Sequence, residues 1–218
     1  MRFGMESSSP TSPSLHRGGR PRRGEDRIEK LLDVAEECFL AEGYVETSID
    51  GLARRAAISK KTIYSRFENK AELFRAVVHR VGIRTLGAEL PDEDDLPLRD
   101  GLRMRLRRLA MATTDPAVLA INRLAASQGR KFPEIAQTLK VSGFERYHLP
   151  ISRYLASCVR RGLIKQIDCE FTTDVILGAM SSPLTYSVIF DTPVGVSLAP
   201  VERADKLCDL IVDGLIAP

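Results

Sequence analysis

Apolar residues in the first third of the chain follow the three- and four-residue spacing of amphipathic helices. The first such stretch closes at Gly43, a residue type that favours helix C-termini. Start signals then follow at Thr47, at Ser59 and at Asn69, each a residue type that caps helix N-termini. The pattern therefore predicts three short helices and a longer connecting helix.

The rest of the chain continues the helical periodicity. An acidic, proline-bounded segment at 91–97 interrupts it and predicts a loop. Pro150 and Pro183 fall inside two of the later helices, where each is expected to produce a kink. No segment reads convincingly as a strand, so the predicted fold class is all-α. Five further helices are predicted at 98–113, 116–128, 133–161, 171–190 and 200–216.

Composition places the chain among globular proteins. Its 218 residues are 44% hydrophobic and 28% charged, which argues against disordered, collagen-like and membrane-embedded classes. The 32 basic and 29 acidic residues give a net charge of +3, and the first 80 residues carry the whole excess, 15 basic against 12 acidic. A basic N-terminal module that meets a polyanion, joined to a neutral module, is the simplest organisation.

Cysteine, histidine and motif patterns exclude several chemistries. Cys38, Cys158, Cys169 and Cys208 are scattered without CxxC spacing, so we interpret them mostly as core residues in a reducing compartment. No metal-ligand spacing, phosphate loop, nucleophile elbow or HExxH motif is present, which predicts no metal, no cofactor and no enzymatic activity. The sequence has no secretory signal, and its longest apolar stretch, 175–190, is too short and too polar to span a bilayer. We therefore expect a cytoplasmic protein without membrane contact.

The segment 47–72 is the most informative part of the sequence. It contains two short predicted helices separated by a turn, and Ile63 and Phe67 are the strictly inward positions of the second. A helix with so narrow an apolar stripe needs a polar surface to lie against. Between Thr47 and Lys70 six basic residues face two acidic ones, which favours DNA phosphates and base edges as that surface.

These residues resemble the DNA-binding domain of the TetR family of bacterial transcriptional regulators. The resemblance implies an all-helical homodimer, usually a repressor, with an N-terminal three-helix DNA-binding domain and a larger helical domain for ligand binding and dimerisation. The segment 130–134 with Gly143 makes the C-terminal part similar to the AefR-like group. Ala57 departs from the family, which often has glycine there, and costs roughly 1 kcal/mol if the turn requires a positive φ. The matching positions are Gly43, Tyr44, Thr47, Ser48, Leu52, Ala53, Ile58, Ser59, Lys60, Thr62, Ile63, Tyr64, Phe67, Asn69, Lys70, Glu72 and Leu73.

The resemblance and the charge pattern together divide the chain into three regions. Residues 1–24 are predicted to be a disordered basic leader, 25–72 the helix-turn-helix DNA-binding domain, and 73–218 the helical effector-binding and dimerisation domain. We expect a homodimer that binds double-stranded DNA at an inverted-repeat operator and is released by a small-molecule effector of unknown identity. A constitutive DNA-binding protein, or a redox-responsive one using Cys158 and Cys169, is the alternative.

Candidate DNA contacts cluster around the predicted recognition helix. Lys60 and Lys61 begin this helix, and Thr62 and Ser65 share a face with Lys61. The family resemblance assigns the hydroxyl of Tyr64 to a DNA phosphate. Helix starts also favour phosphate oxygens, because their N–H groups and positive dipole ends are exposed. The full candidate set is Thr47, Ser48, Ser59, Lys60, Lys61, Thr62, Tyr64, Ser65 and Lys70.

Two groups of arginines have more than one interpretation. Arg20, Arg22 and Arg23 of the leader form either a minor-groove arm or a solubilising tail. A second group spreads around the predicted helix 98–113, and salt bridges to neighbouring acids are favoured there over a second DNA-binding patch. Its members are Arg103, Arg105, Arg107 and Arg108.

The predicted C-terminal domain contains candidate ligand and dimer positions. An effector cavity between its helices is expected to have an apolar lining, with Tyr147 and His148 orienting the ligand. The pocket candidates are Leu106, Leu124, Phe144, Tyr147, His148, Ile151, Ile176 and Met180. Apolar stripes on the last two helices predict a four-helix dimer interface. The interface candidates are Val175, Leu184, Val188, Leu207, Ile211 and Leu215.

Overall fold

The computed structural model of the chain describes residues 23–87, 96–190 and 198–215. Within those ranges it contains helices and turns but no strand, which confirms the predicted all-α fold class. Most of the predicted leader and of the acidic loop at 91–97 lies outside the described residues. The helices are α1 (Arg23–Glu42), α2 (Ile49–Ala56), α3 (Lys60–Tyr64), α4 (Lys70–Leu86), α5 (Leu98–Thr113), α6 (Pro116–Gln128), α7 (Pro133–Gly143), α8 (Leu149–Arg160), α9 (Cys169–Phe190) and α10 (Pro200–Leu215).

The N-terminal helices pack around an aromatic cluster. The ring centroid of Phe74 lies 5.2 Å from that of Phe39 and 5.5 Å from that of Tyr44, and all three residues are buried. The same core takes in Ile121 from α6 and Ile135 from α7. Because the core continues past residue 72, the three-helix unit is packed directly on the C-terminal part of the chain.

A second hydrophobic core joins α5, α8, α9 and α10. Its fully buried members include Leu102, Leu106, Leu155 and Ile176. Helix α9 of this core contacts α6, which contributes Ile121 to the first core. The C-terminal part is therefore a helical layer that contacts the N-terminal unit through α4, α6 and α7.

Arginines of α5 form a row of ion pairs with acids of α10. Arg103 Nη2 lies 2.8 Å from Asp209 Oδ1, and Arg107 Nε lies 2.6 Å from Asp205 Oδ1. Arg105 is buried instead, with its guanidinium 3.8 Å from the centroid of the Tyr154 ring. The salt-bridge interpretation is thus confirmed for Arg103 and Arg107, with α10 supplying the acids.

The predicted helix 133–161 is divided in the structure. A π-helical turn at Phe144–His148 separates α7 from α8, and the Leu149 N–H bonds to the Phe144 carbonyl five residues back. Pro150 then falls in the first turn of α8, directly after the π-helical turn. The widened turn thus accommodates the proline. Pro183, in contrast, lies inside the continuous helix α9.

Candidate functional site

The helix-turn-helix begins with a side-chain cap on α2. The Ser48 hydroxyl accepts a hydrogen bond from the Gly51 N–H at 3.0 Å. Thr47 is buried, and its hydroxyl donates to the Gly43 carbonyl at 2.7 Å. Assigning the cap to Thr47 is therefore wrong by one residue, because tertiary packing decides which of two adjacent hydroxyl residues faces outward. The inward position of Thr47 also removes the geometric basis for its predicted DNA contact.

The turn between the two helices contains the strained residue that the sequence suggested. Ala57 adopts φ +56° and ψ +44°, the left-handed conformation that favours glycine. Its N–H and that of Ile58 bond back to carbonyls of α2, at 3.2 Å to Arg54 and 3.0 Å to Ala53. These bonds close α2 sharply and set the angle at which α3 leaves the turn.

The recognition helix α3 exposes most of its surface. Of its five residues Ile63 is buried, and Phe67 anchors the turn that follows. The helix ends at Tyr64, earlier than the predicted end at about Phe67. Lys60 and Lys61 are exposed, and the side chain of Tyr64 is 54% exposed. The outward side of α3 is therefore polar and basic, as a DNA-reading helix requires.

Several polar groups of this surface are held by local hydrogen bonds. Ser59 caps α3, accepting from the Thr62 N–H at 3.1 Å, and the two hydroxyl oxygens are 2.9 Å apart. The Ser65 hydroxyl donates to the Thr62 carbonyl at 2.8 Å. Lys60 Nζ lies 2.7 Å from Asp50 Oδ1, and this hydrogen bond raises the pKa of Lys60. Lys60 therefore stays charged, and a phosphate must compete with Asp50 for it.

The Lys70 side chain is held by hydrogen bonds within the protein and does not extend freely from the surface. Its ammonium donates to the carbonyls of Tyr44 at 2.7 Å, Thr47 at 3.1 Å and Val45 at 3.4 Å. It also lies 4.4 Å from the centroid of the Tyr44 ring, and burial lowers its pKa. An ammonium has three N–H donors, so all of them are engaged. This geometry does not favour the predicted phosphate contact, and it explains how the first turn of α4 holds the loop before α2.

The predicted minor-groove arm lies almost entirely outside the described residues. Arg20 and Arg22 are not part of the described ranges, and Arg23 is the first residue of α1, with a side chain that is not described. The arm therefore stays a prediction.

A cavity of about 260 Å³ lies between α4, α5, α6, α7 and α9. Its lining is mostly apolar, with a few polar groups. Burial raises the pKa of Tyr147, so that its phenol stays protonated near neutral pH. The described lining residues are Val78, Val81, Gly82, Leu109, Thr113, Val118, Ile121, Asn122, Leu139, Ser142, Gly143, Arg146, Tyr147, Leu177, Ser181 and Leu184.

Of the eight predicted pocket residues, Tyr147 alone lines this cavity. Five others are buried in the two hydrophobic cores and are not among the lining residues. Helical periodicity identifies inward positions but cannot distinguish a packed neighbour from an empty one, which explains the error. Arg146, Asn122 and Ser181 were missed because polar residues do not register in an apolar stripe. The five core residues are Leu106, Leu124, Ile151, Ile176 and Met180.

The remaining two predicted pocket residues form a separate group outside the cavity. His148 is buried, and its Nε2 lies 3.2 Å from Asp174 Oδ1 and 3.6 Å from Glu170 Oε2. Phe144 is exposed and stacks on the imidazole with a centroid distance of 4.8 Å. No group of three or more metal-ligating side chains occurs among the described residues.

Two sets of contacts connect the cavity helices to the DNA-binding unit. On α4, Arg84 Nη2 lies 2.8 Å and Arg80 Nη2 lies 3.1 Å from the carboxylate oxygens of Glu36 in α1. Ahead of α2, the Tyr44 N–H donates to Gln128 Oε1 at 3.2 Å, and the Tyr44 hydroxyl donates to Glu134 Oε1 at 3.2 Å. Burial and the neighbouring Glu134 carboxylate raise the pKa of Tyr44 to about 12. These contacts join α4, α6 and α7 to α1 and to the segment before α2, and helices α1–α3 are called the reading head below.

The predicted dimer residues are only partly on the surface. Val175 is exposed, whereas Leu184 lines the cavity, and Leu207 and Ile211 pack against the second core. Val188 is half-buried, and the side chain of Leu215 is not described. Other large apolar side chains of α9 and α10 are more exposed than most of the predicted ones. They are Phe171, Tyr186, Ile189, Val201 and Leu210.

Comparisons with known proteins identify the family to which this arrangement of helices belongs. Residues 31–77 match the bacterial regulatory proteins of the tetR family, and residues 100–209 match the AefR-like transcriptional repressor C-terminal domain. The chain belongs to the TetR family. Both resemblances inferred from sequence are confirmed, including the AefR-like one. TetR-family members are DNA-binding transcriptional regulators, typically repressors, which gives the helix-turn-helix its function.

Individual relatives match this chain over spans of different length. The DNA-binding transcriptional repressor TetR of Mycobacteroides abscessus is 46% identical over 56 residues, which cover 26% of this chain and only 30% of that protein. The uncharacterized HTH-type transcriptional regulator YdeS of Bacillus subtilis is 26% identical over 172 residues, 78% of this chain and 82% of that protein. The chain is therefore similar to one relative at high identity over a short span and to another at low identity over most of its length.

Solved TetR-family structures share the whole fold. A TetR transcriptional regulator from Agrobacterium tumefaciens superposes with a TM-score of 0.70 at 21% identity, covering 88% of this chain and 95% of that chain. The flavonoid-responsive regulator FrrA gives a TM-score of 0.70 at 20% identity, covering 86% of this chain and 95% of that chain.

In the described ranges, none of the helices has the length and apolar content needed to cross a bilayer.

Proposed function

We propose that this TetR-family regulator is a homodimeric repressor that a small molecule in the cavity releases from an inverted-repeat operator. The observation that carries the proposal is the position of α4. This helix begins at Lys70, beside the recognition helix, and contributes Val78, Val81 and Gly82 to the cavity wall. A ligand that changes the cavity therefore acts on a helix that is also bound to α1 and to the loop before α2.

The DNA contacts are proposed for the outward groups of the helix-turn-helix. Lys61 and Tyr64 lie one turn apart on α3 and are exposed, and Ser48 presents the N-terminus of α2 to a phosphate. Lys60 and Ser65 flank them. One such short helix reads only a few base pairs, so a two-fold dimer with half-sites about 34 Å apart supplies a sufficient contact area.

The dimer interface is proposed for the exposed apolar side of α9 and α10. Leu210 is 73% exposed, and Phe171, Val175 and Ile189 are also exposed in the single chain. Large apolar side chains on adjacent helices favour burial against a second copy.

DNA binding further implies that the protein works in the cytoplasm.

Release follows from coupling between the two sites. We consider a ligand whose binding free energy is about 1–3 kcal/mol more favourable when the two reading heads are misaligned than when they are aligned. Such a ligand lowers operator affinity about 5- to 150-fold. By reciprocity, operator DNA weakens the ligand by the same factor. FrrA, which shares the fold, is described as flavonoid-responsive, and this supports a ligand-responsive cavity in the present chain.

The test begins with selection of bound DNA from a random pool by the full chain. We expect an inverted repeat, and a gel mobility shift with that site then serves to screen compounds. Recovery of a single asymmetric half-site bound by a monomer would contradict the dimer proposal. Release by peroxide instead of a small molecule would favour a redox regulator using Cys158 and Cys169. Binding that no treatment changes would favour a constitutive DNA-binding protein.

A further inference from the structure

The cavity wall contains one guanidinium and no carboxylate among its described residues. Arg146 Nη2 donates to the His79 carbonyl of α4 at 2.9 Å, and no described carboxylate forms an ion pair with Arg146. An arginine has five N–H donors, so most of this group is available to a ligand. A guanidinium beside an apolar cavity without a counterion favours an anionic group in whatever the cavity binds.

Gly82 fixes the position of this charge. A β-carbon at Gly82 would lie 2.6 Å from Arg146 Nε and 2.9 Å from its Cδ and Cζ, closer than non-bonded atoms approach. The glycine thus lets the guanidinium lie directly against α4 at the edge of the cavity. A larger residue would push the charge away from the cavity wall.

The rest of the lining selects the other properties of the ligand. Tyr147 and Asn122 offer neutral polar groups near the same wall, while the aliphatic side chains of Leu109, Ile121 and Leu177 supply an apolar remainder. A dry apolar cavity of about 150 Å³ takes a benzene molecule, or roughly 25 Å³ per non-hydrogen atom. At about 260 Å³ the present cavity holds roughly ten non-hydrogen atoms by the same ratio.

We propose that the effector is an apolar monocarboxylate of roughly ten non-hydrogen atoms, with its carboxylate paired to the Arg146 guanidinium. This inference rests on the proposed function, because it takes the cavity as the effector site. It names what the cavity recognises, a single negative charge on a compact apolar body.

The same contact explains how binding reaches α4. Arg146 now joins the π-helical turn to α4 through the His79 carbonyl. Because the guanidinium has five N–H donors, it can pair with a carboxylate in the cavity while it keeps its hydrogen bond to the His79 carbonyl. A bound carboxylate is then joined through one side chain to both the π-helical turn and α4, so the ligand acts on α4 directly.

The experiment compares three probes of equal chain length by isothermal titration calorimetry with the full chain at pH 7.5. The probes are octanoate, its neutral isostere octanamide, and octylammonium. We expect octanoate to bind roughly 10-fold or more tightly than octanamide, because a charge-assisted pair replaces a neutral hydrogen bond. Octylammonium should bind most weakly. Equal affinities, or an absence of octanoate binding, would overturn the proposal even if every variant failed to fold.

Variants test the assignment to Arg146. Arg146→Gln should abolish the preference for octanoate while leaving octanamide affinity within a few-fold, and Arg146→Lys should retain part of it. Arg153→Gln is the matched control, since Arg153 is an exposed arginine of α8 outside the cavity. A preference that survives in Arg146→Gln would overturn the assignment.

A mobility shift with the selected operator separates this inference from the proposed function. If octanoate is preferred but the protein binds no DNA, the proposed function fails and the ligand chemistry stands. If the protein binds DNA but octanoate and octanamide bind equally, the ligand chemistry fails and the regulator remains.

Discussion

Replacing Ala57 with glycine measures the strain in the turn of the helix-turn-helix. Ala57 adopts φ +56°, and a left-handed residue with a β-carbon costs about 1–2 kcal/mol. Glycine removes this strain, but its greater backbone entropy in the unfolded chain offsets about 0.5–1 kcal/mol of the stability gained. Ala57 is exposed, so the substitution removes no packed side chain. With central values of about 1.5 and 0.75 kcal/mol for these two contributions, the Ala57→Gly protein is expected to be more stable by about 0.75 kcal/mol, within a range of about 0–1.5 kcal/mol.

Differential scanning calorimetry of the full chain detects this change. For a protein of this size 1 kcal/mol corresponds to about 2–4 °C, so Tm should rise by about 1–4 °C. Ala136→Gly is the control, because Ala136 is exposed in the middle of α7 and loses about 0.5–1 kcal/mol by the same exchange. The two substitutions should thus move Tm in opposite directions. A fall in Tm for both would refute the strain assigned to the turn.

Three further predictions follow from the same geometry. Tyr64→Ala should weaken operator affinity and keep effector binding, whereas Tyr147→Ala should abolish induction and keep operator affinity. A mobility shift with and without effector distinguishes the two variants. The same loss in both variants would contradict the assignment of Tyr64 to DNA binding and Tyr147 to effector binding. Leu210→Glu should yield monomers in sedimentation velocity without unfolding, since the side chain is 73% exposed, and an intact dimer would place the interface elsewhere. Burial alone would raise the pKa of Glu36, but the Arg84 and Arg80 guanidinium groups lower it overall. The ionised Glu36 carboxylate therefore stabilises the fold above its ordinary pKa of 4.5, and this contribution is lost as pH falls through the lowered pKa. In urea unfolding, Glu36→Gln should have a lower free energy of unfolding than wild type at pH 7, and the two proteins should no longer differ at low pH.

The helix-turn-helix was predictable in detail because its signals are local. Ser59 and Asn69 cap the helices that the sequence assigned to them, and Ala57 adopts the left-handed conformation that the family pattern suggested. The error at Thr47 has the same local origin. Two neighbouring hydroxyl residues give one signal, and only packing against the core selects Ser48 as the cap.

The cavity could not be predicted residue by residue because it depends on how helices meet. Leu106, Ile176, Leu109 and Leu177 have the same apolar character and all belong to or pack against the second core, yet Leu109 and Leu177 alone of these four also line the cavity. Arg146 carried no signal of its own, because the contact that places it on α4 requires a glycine 64 positions earlier in the chain. Sequence spacing contains no information on such a long-range fit.

The contacts at Tyr44 limit how a ligand can move the reading head. Lys70, at the start of α4, binds the Tyr44 carbonyl, while Gln128 and Glu134 of the cavity domain bind the Tyr44 N–H and hydroxyl. A shift of α4 alone must break the bonds to α6 and α7, each of which contributes about 0.5–1.5 kcal/mol. Rotation of the whole N-terminal unit with α4 around Tyr44 keeps those bonds and instead repacks the helices at the cavity. The second movement keeps both hydrogen bonds of Tyr44 to the cavity domain, so effector binding is expected to reorient the helix-turn-helix as a rigid unit.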